Sequence, residues 1–598
     1  MREAQDVVWN PLTRSLRARL GGACVALVLA SAGTAADEIT LSIVGTNDLH
    51  GHSFTDDQGR GGLTVLGGFV ENLRAARATD GGAVLVLDAG DTFQGGIESN
   101  LSEGLMVVDA YNAIGYAALA IGNHDFDYGS VDPRGPAAQW LPQQLRGIEA
   151  ADLQGALKAA AARARFPFLA ANILDAATGQ PVRWPNVVPS TIVNAAGVRV
   201  GLIGLMTETG LRQTLAAHVQ GLATSPLAAT VAREARALRE RGAELVVLAA
   251  HAGGWCAETG DPHDLESCDE GSEIFRLARE LPAGTLQAIV AGHTHGTVAH
   301  FVDGIPITSV PSFGTHFGRM DLTFDTAQRR VIDARIHAPQ PICTRTDVGG
   351  ECAVAPAGAG VEYEGRPVVP SARVAAAIEP ELQRVRELRA GALGVVADTP
   401  IERAAGPESA LGNLFADAVR AAVPGAEVAL SYGPGRGGLR ADLPSGALTF
   451  GHVYDVFPFD NRITRLTLTG DQLALVLADQ LPQLVDGRRG LLAVSGVRVA
   501  VSCERGLARL RLTRESGVGV QPEDQVVVAA TSFSAGRAAW AAIEPEAAGA
   551  DELPLLVRDA AAAWLLQHGG HIGVADLVDP ERPRWQLPPA GPRCSARG

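Results

Sequence analysis

Short apolar runs separated by polar, periodic stretches dominate residues 38–340. Residues 41–45, 84–87, 117–121, 198–205, 245–250 and 286–290 are runs of the kind that form strands buried on both faces. Between two of them, residues 226–241 (PLAATVAREARALRER) repeat apolar positions at helical spacing and carry a charged face. Such alternation predicts an α/β domain of layered sheet and helix.

The pattern changes after 340. Residues 341–370 are rich in Pro, Gly and Ala and read as a loop or linker. Residues 372–390 (ARVAAAIEPELQRVRELRA) have helical spacing, with Pro380 marking a break or a second start. The linker and connecting helix together occupy 341–394. A second α/β or α+β domain is expected over 395–580, with strand-like runs at 428–430, 465–468 and 525–530. The Pro- and Arg-rich tail, 581–598, is expected to be loosely ordered.

Polar clusters follow the apolar runs of the first domain. They are Asp48-Leu49-His50-Gly51-His52, Gly90-Asp91-Thr92, Gly122-Asn123-His124-Asp125 and Gly292-His293-Thr294-His295, with His251 after a further run. Open α/β sheets bind ligands at the carboxyl ends of their strands. Aspartate, histidine and asparagine gathered there are the ligand types of a two-metal hydrolytic centre. Asp91 can bridge two ions with its two oxygens. Asp48 and His50, two residues apart on extended chain, can reach one ion. Taken singly, each cluster is also compatible with an ordinary turn or a buried histidine. Their shared position at strand ends favours the metal site.

Charge narrows the partners. The 598 residues carry a net charge of −16, which argues against a nucleic-acid polymer as ligand. A length of this order also requires more than one core. Residues 1–36 have a signal-peptide pattern: Arg14, Arg17 and Arg19 precede an apolar stretch from Leu20 to Ala32, and small residues precede Asp37. The competing reading is an uncleaved anchor, although the run is short for a spanning helix. The expectation is an exported protein, periplasmic or secreted, with no membrane segment after cleavage. Six cysteines then remain, and proximity suggests Cys256–Cys268 and Cys343–Cys352, leaving Cys503–Cys594.

The motifs NDLHGH (47–52), GDTFQG (90–95), GNHDFD (122–127) and GHTHG (292–296) resemble those of the calcineurin-like metallophosphatases. More closely, they resemble the bacterial periplasmic and animal ecto-5′-nucleotidase family. The resemblance implies an α/β chain with an N-terminal four-layer αββα sandwich and a C-terminal α+β substrate-binding domain. It implies two divalent ions, zinc, manganese or similar. Asp48, His50, Asp91 and His295 would hold one, and Asp91, Asn123, His251 and His293 the other. His124 matches the catalytic histidine and Asp127 its orienting carboxylate, while His52 would only support the ligands. The implied reaction is hydrolysis of a small phosphoester, a nucleotide first among them, by water activated at the ions.

The second domain departs from the family pattern. Leu411-Gly412-Asn413-Leu414 with Asp417 resembles its opening helix, and Gly437-Gly438-Leu439-Arg440 its Gly-Gly-x-Arg loop. Arg440 is the implied phosphate contact, and Phe459 and Phe533 match the aromatic pair that sandwiches a base. Gly435 stands near the place of a family asparagine. Pro407 or Ala405 stands where an arginine is usual, for which Arg403 or Arg436 could substitute. Ser534 to Ala539 replaces the Gly-Gly-Asp-Gly loop that meets the ribose, and brings Arg537 instead. These changes bear on the substrate rather than the reaction. They keep open a cyclic phosphodiesterase or other ester hydrolase, including one for sulfur-linked substrates. They also keep open a metal-bearing binding protein.

Overall fold

The computed structural model describes residues 38–131, 152–403, 408–431, 438–459, 461–481, 491–504, 507–531 and 551–588. Two sheets face each other in the first domain. One runs in the order Arg330–Pro341, His316–Asp325, Glu38–Thr46, Ala83–Asp88, Ala118–Ala120, Phe168–Leu169, Val187–Val188. The other runs Val298–Val302, Ile305–Ser309, Ala288–Ala291, Leu245–His251, Val198–Met206, Ser190–Ala195.

The two-residue period of the strands sorts the side chains. Ile39, Leu41 and Ile43 pack between the sheets with Val200, Leu202, Leu245 and Val247. Val44, on the opposite face, meets the helices Leu63–Asp80 and Leu105–Ile114. Val246, Leu248 and Ala250 likewise meet helices Leu227–Glu240 and Glu273–Glu280. The result is helix, sheet, sheet, helix. Gly45 lies where the sheets come closest: a Cβ there would sit 2.6 Å from Val290 Cγ1.

A strand forms at each expected run, though that at 117–121 is confined to Ala118–Ala120, and the last begins at Ala288 and leaves Leu286 buried before it. Helix Ala372–Ala390 is continuous through Pro380, so the expected break is absent. Proline forfeits one intrahelical hydrogen bond, and Val374, Ile378 and Val385 anchor the helix on both sides of it. Residues 341–370 are no free linker. Ile342 and Val368 join the first core, and the backbone of Gly61 donates to Ile342 O. Cys256–Cys268 and Cys343–Cys352 are both disulfides. Cys594 lies outside the described residues, as do residues 1–36.

The second domain is built on a five-stranded sheet in the order Ala493–Ser495, Val428–Ser431, Gln525–Thr531, Arg462–Thr469, Asp551–Leu556. Its opening helix is Ala410–Ala422, capped by Ser409. The described part of the tail, residues 581–588, is tighter than its composition suggests. Trp585–Gln586 pairs with Val499 and Ala500, the Trp585 ring is buried, and Arg584 forms a two-pronged ion pair with Asp417. Among the described residues, no helix is long and apolar enough to cross a membrane.

Candidate metal centre

Each polar cluster sits at a strand's carboxyl end. Asp48 and His50 follow Glu38–Thr46, Asp91 follows Ala83–Asp88, and Asn123 follows Ala118–Ala120. His251 ends Leu245–His251, and His293 and His295 follow Ala288–Ala291. The first three strands run parallel in one sheet, and the last two run parallel in the other. The two sheets therefore deliver their strand ends to one edge.

The candidate ligand atoms converge in two groups. Those of Asp48, His50 and His295 lie within 4.8 Å of one another, as do those of Asp91, His251 and His293. Asp91 joins the groups: its Oδ2 lies 3.1 Å from His251 Nε2 and 3.9 Å from His50 Nε2. Asn123 Oδ1 lies 3.0 Å from His251 Nε2.

Tautomers follow from the far side of the rings. His50 Nδ1 lies 3.0 Å from Gln94 O, and His251 Nδ1 lies 2.8 Å from Ala89 O. A carbonyl only accepts, so each Nδ1 carries a hydrogen, and Nε2 is the nitrogen whose lone pair the neutral ring would offer a cation. His50 Nε2 stands 3.1 Å from His295 Nε2, and His251 Nε2 stands 3.2 Å from His293 Nδ1. Lone pairs and carboxylate oxygens crowded this closely fit a shared cation.

The backbone is strained to bring them there. Asp48, His50, Asp91, His293 and His295 all have positive φ, between 47° and 84°. Non-glycine residues seldom adopt this conformation, and it gathers at functional sites. Neighbouring loops hold it: Asp48 N donates to Gly90 O and His50 N to Asp91 O, both at 2.9 Å.

Three carboxamide and carboxylate groups absent from the sequence-derived ligand set complete the frame. Asn47 donates to Asp48 Oδ2 at 2.7 Å and pairs with the backbone of Val310. Asp125 accepts the backbone N–H groups of Asp91, Thr92 and Gly122. Burial, helped by the Asp91 charge, raises its pKa to about 7. Asp88, raised to about 6 by burial, accepts from Thr46, Tyr111, Thr92 and Gly90. Asn47 and Asp125 lie inside the motifs themselves. Asp88 ends the strand before Asp91, and an aspartate closing an apolar run was the available signal.

Charge in the centre favours a cation. Burial disfavours charge on His251, but Asp91 outweighs it and lifts the pKa to about 10. Burial would likewise raise Asp91, yet the surrounding histidines, His251 foremost, hold it well below the usual carboxylate range. A pocket that draws a proton this strongly suits positive charge. His124 stands beside it, its backbone N–H bonded to Asp91 Oδ1 at 2.8 Å and its Nδ1 2.7 Å from Asp127 Oδ2. Burial opposes its charge, but Asp127 raises it to about 9. Asp127 is itself fixed by the Thr214 hydroxyl at 2.7 Å.

In the second domain, Arg440 lies over the Phe459 ring, 5.0 Å from its centroid. Arg403 donates to Leu439 O, beside Arg440. Phe533, Ala405, Pro407, Gly435, Arg436 and residues 534–539 lie outside the described residues. His52 is exposed, and its ring lies 4.6 Å from that of Phe313.

Known proteins share both halves. Residues 41–297 match the calcineurin-like phosphoesterase model, and residues 390–543 match the model of the 5′-nucleotidase C-terminal domain. Endonuclease YhcR of Bacillus subtilis is 24% identical over 83% of this chain and 37% of that protein. The 5′-nucleotidase of Vibrio cholerae is 26% identical over 52% of this chain and 53% of that protein. The chain thus spans about half the length of such curated relatives, or less. The crystal structure of a 5′-nucleotidase precursor from Thermus thermophilus has the same fold, with a TM-score of 0.52 and 24% identity over 92% of this chain and 99% of that one. With both models matched in order along one chain, this protein belongs to the family that joins a calcineurin-like phosphoesterase domain to a 5′-nucleotidase C-terminal domain.

Proposed function

We propose that this chain is an exported phosphoester hydrolase of the 5′-nucleotidase type, releasing phosphate from a small phosphoester, a nucleotide first among them. The observation that carries this reading is Asp91, whose Oδ2 faces both ligand groups at 3.1 and 3.9 Å. Asp48, His50, Asp91 and His295 would hold one divalent ion; Asp91, Asn123, His251 and His293 would hold the other. The mixed nitrogen and oxygen donors suit zinc, manganese, iron or cobalt. Such ions would acidify water and neutralise phosphoryl oxygens.

The chain's own groups do the rest. His124 has Nδ1 engaged by Asp127, which leaves Nε2 to face the ester oxygen that departs. The Asp127 carboxylate at Nδ1 favours the charged ring, which can give its Nε2 proton to that oxygen. Asp127 and Thr214 hold the ring's orientation. Arg440 would meet an anionic group of the substrate, and Phe459, with Phe533, a flat base.

A second reading has its own support. The aspartate of the family's ribose loop is missing between Ser534 and Ala539. A site without that partner discriminates less for the ribose hydroxyls. Esters other than nucleotides then become substrates of equal standing.

The test is phosphate release by purified protein, stripped with chelator and resupplied with manganese or zinc. The panel is adenosine monophosphate, a cyclic nucleotide, a bis-aryl phosphodiester and a sugar phosphate. Metal-dependent release, fastest from adenosine monophosphate, is expected. Similar efficiency on the simple esters favours the second reading. Retained metal with no release from any ester would leave a metal-bearing binding protein.

A further inference from the structure

Two large aromatic side chains stand half exposed beside the ligand groups. Phe313 is 44% exposed and Trp255 52%. The Phe313 ring centroid lies 4.6 Å from that of His52, 5.7 Å from His295 and 5.8 Å from His50. Trp255 packs on Gly296, the neighbour of His295, so closely that a Cβ there would sit 3.0 Å from its Cδ1. The His295 side chain beside Phe313 is itself 40% exposed.

Phe313 is an unfavourable choice at its position. Its φ is 66°, in the left-handed region that bulky residues avoid and glycine or asparagine enter readily. The turn itself has a purpose, since Phe313 N donates to Asp48 O at 2.8 Å. That hydrogen bond uses only the backbone and needs no phenyl ring. Nor does the ring fill a core; it belongs to none of the buried apolar clusters among the described residues. Strain and apolar exposure together, at the edge of a site, point to a ligand.

We infer that Phe313 and Trp255 form a subsite in the first domain for the leaving group of the ester, and that it selects flat aromatic leaving groups. The inference rests on the phosphoester reading and adds the substrate class. A flat ring laid against Phe313 removes apolar surface from water on both partners and can stack offset or edge-on. The His52 ring, 4.6 Å from that of Phe313, borders that surface. A glycerol or sugar leaving group gains little there. The subsite makes no use of ribose hydroxyls, so the altered loop at 534–539 leaves it intact.

The experiment compares kcat/KM on phenyl phosphate with that on glycerol phosphate in the metal-loaded protein and in Phe313→Asn, Phe313→Tyr and Trp255→Leu. Asparagine tolerates the left-handed backbone, so Phe313→Asn removes the ring while keeping the turn. The preference for the aryl ester should fall about fivefold to tenfold in Phe313→Asn and Trp255→Leu, through KM, and persist in Phe313→Tyr. An unchanged preference in Phe313→Asn overturns the subsite and leaves the phosphoester reading standing. Should the unaltered protein hydrolyse neither these esters nor adenosine monophosphate, that reading fails by itself. Calorimetric titration with phenylphosphonate and methylphosphonate then decides the subsite. Tighter binding of the phenyl compound, lost in Phe313→Asn, supports it; equal affinities overturn it.

Discussion

Asn100 donates to the hydroxyl of Tyr454 at 2.6 Å, joining the first domain to the second. The same amide reaches Pro458 O, while its oxygen accepts from Gly95 N and Tyr128 Oη. Asn100 is buried, so each of these groups depends on it. Asn100→Leu should lower stability by about 1–3 kcal/mol through unsatisfied buried polar groups. Combined with Tyr454→Phe in a double-mutant cycle, read by chemical denaturation, it should show a coupling of about 1 kcal/mol. Strict additivity would mean that the contact contributes nothing between the domains.

Removing His124 separates chemistry from metal binding. His124→Ala is expected to keep its metal content by elemental analysis and to lose about 100-fold or more in kcat. Metal loss equal to the loss of turnover would place His124 among the ligands instead.

Asp91 should behave differently from every other ligand candidate. Because one of its oxygens faces both groups, Asp91→Ala should empty both ion positions together. His295→Ala should weaken only the position shared with Asp48 and His50. Metal-to-protein ratios after dialysis against a weak chelator check this. Equal losses in the two variants would contradict the bridging role.

Acid should unfold the first domain partly through Asp321. Burial would raise its pKa, but hydrogen bonds from His337, Arg319 and Ser42 outweigh burial and hold it below the ordinary value of 3.8. A depressed carboxylate contributes stability above its unfolded pKa and loses that contribution as pH falls through the folded one. Asp321→Asn should therefore cost about 2 kcal/mol near neutrality, and the gap from the unaltered protein should begin to narrow below about pH 4. Melting temperatures between about pH 3 and 7 would show it; a constant gap would refute it.

Much of the fold was legible because its strands are continuous apolar runs with polar clusters at one end. Leu245 to Ala250 could hardly be anything but buried, and His251 closes the run where a ligand belongs. What escaped depends on distant partners. Pro380 reads as a break because proline removes a local hydrogen bond, yet packing by Ile378 and Val385 carries the helix through. Arg584 and Trp585 look like a loose end until Asp417 and Val499 come into view. Asp125 was visible within its motif, but only the tertiary structure reveals that it ties its own loop to the backbone of Asp91 and Thr92.

The pairing of Arg584 with Asp417 also sets an order of events during synthesis. The two residues are 167 positions apart. Helix Ala410–Ala422 leaves the ribosome long before its cationic partner exists, and the strand that pairs with Val499 follows that partner directly. The first domain, by contrast, has all thirteen strands of its two large sheets once residue 341 has been made. A nascent chain caught between these points would carry a closed sandwich and an open-edged partner. In that interval the second domain is the part exposed to proteases and to mispairing.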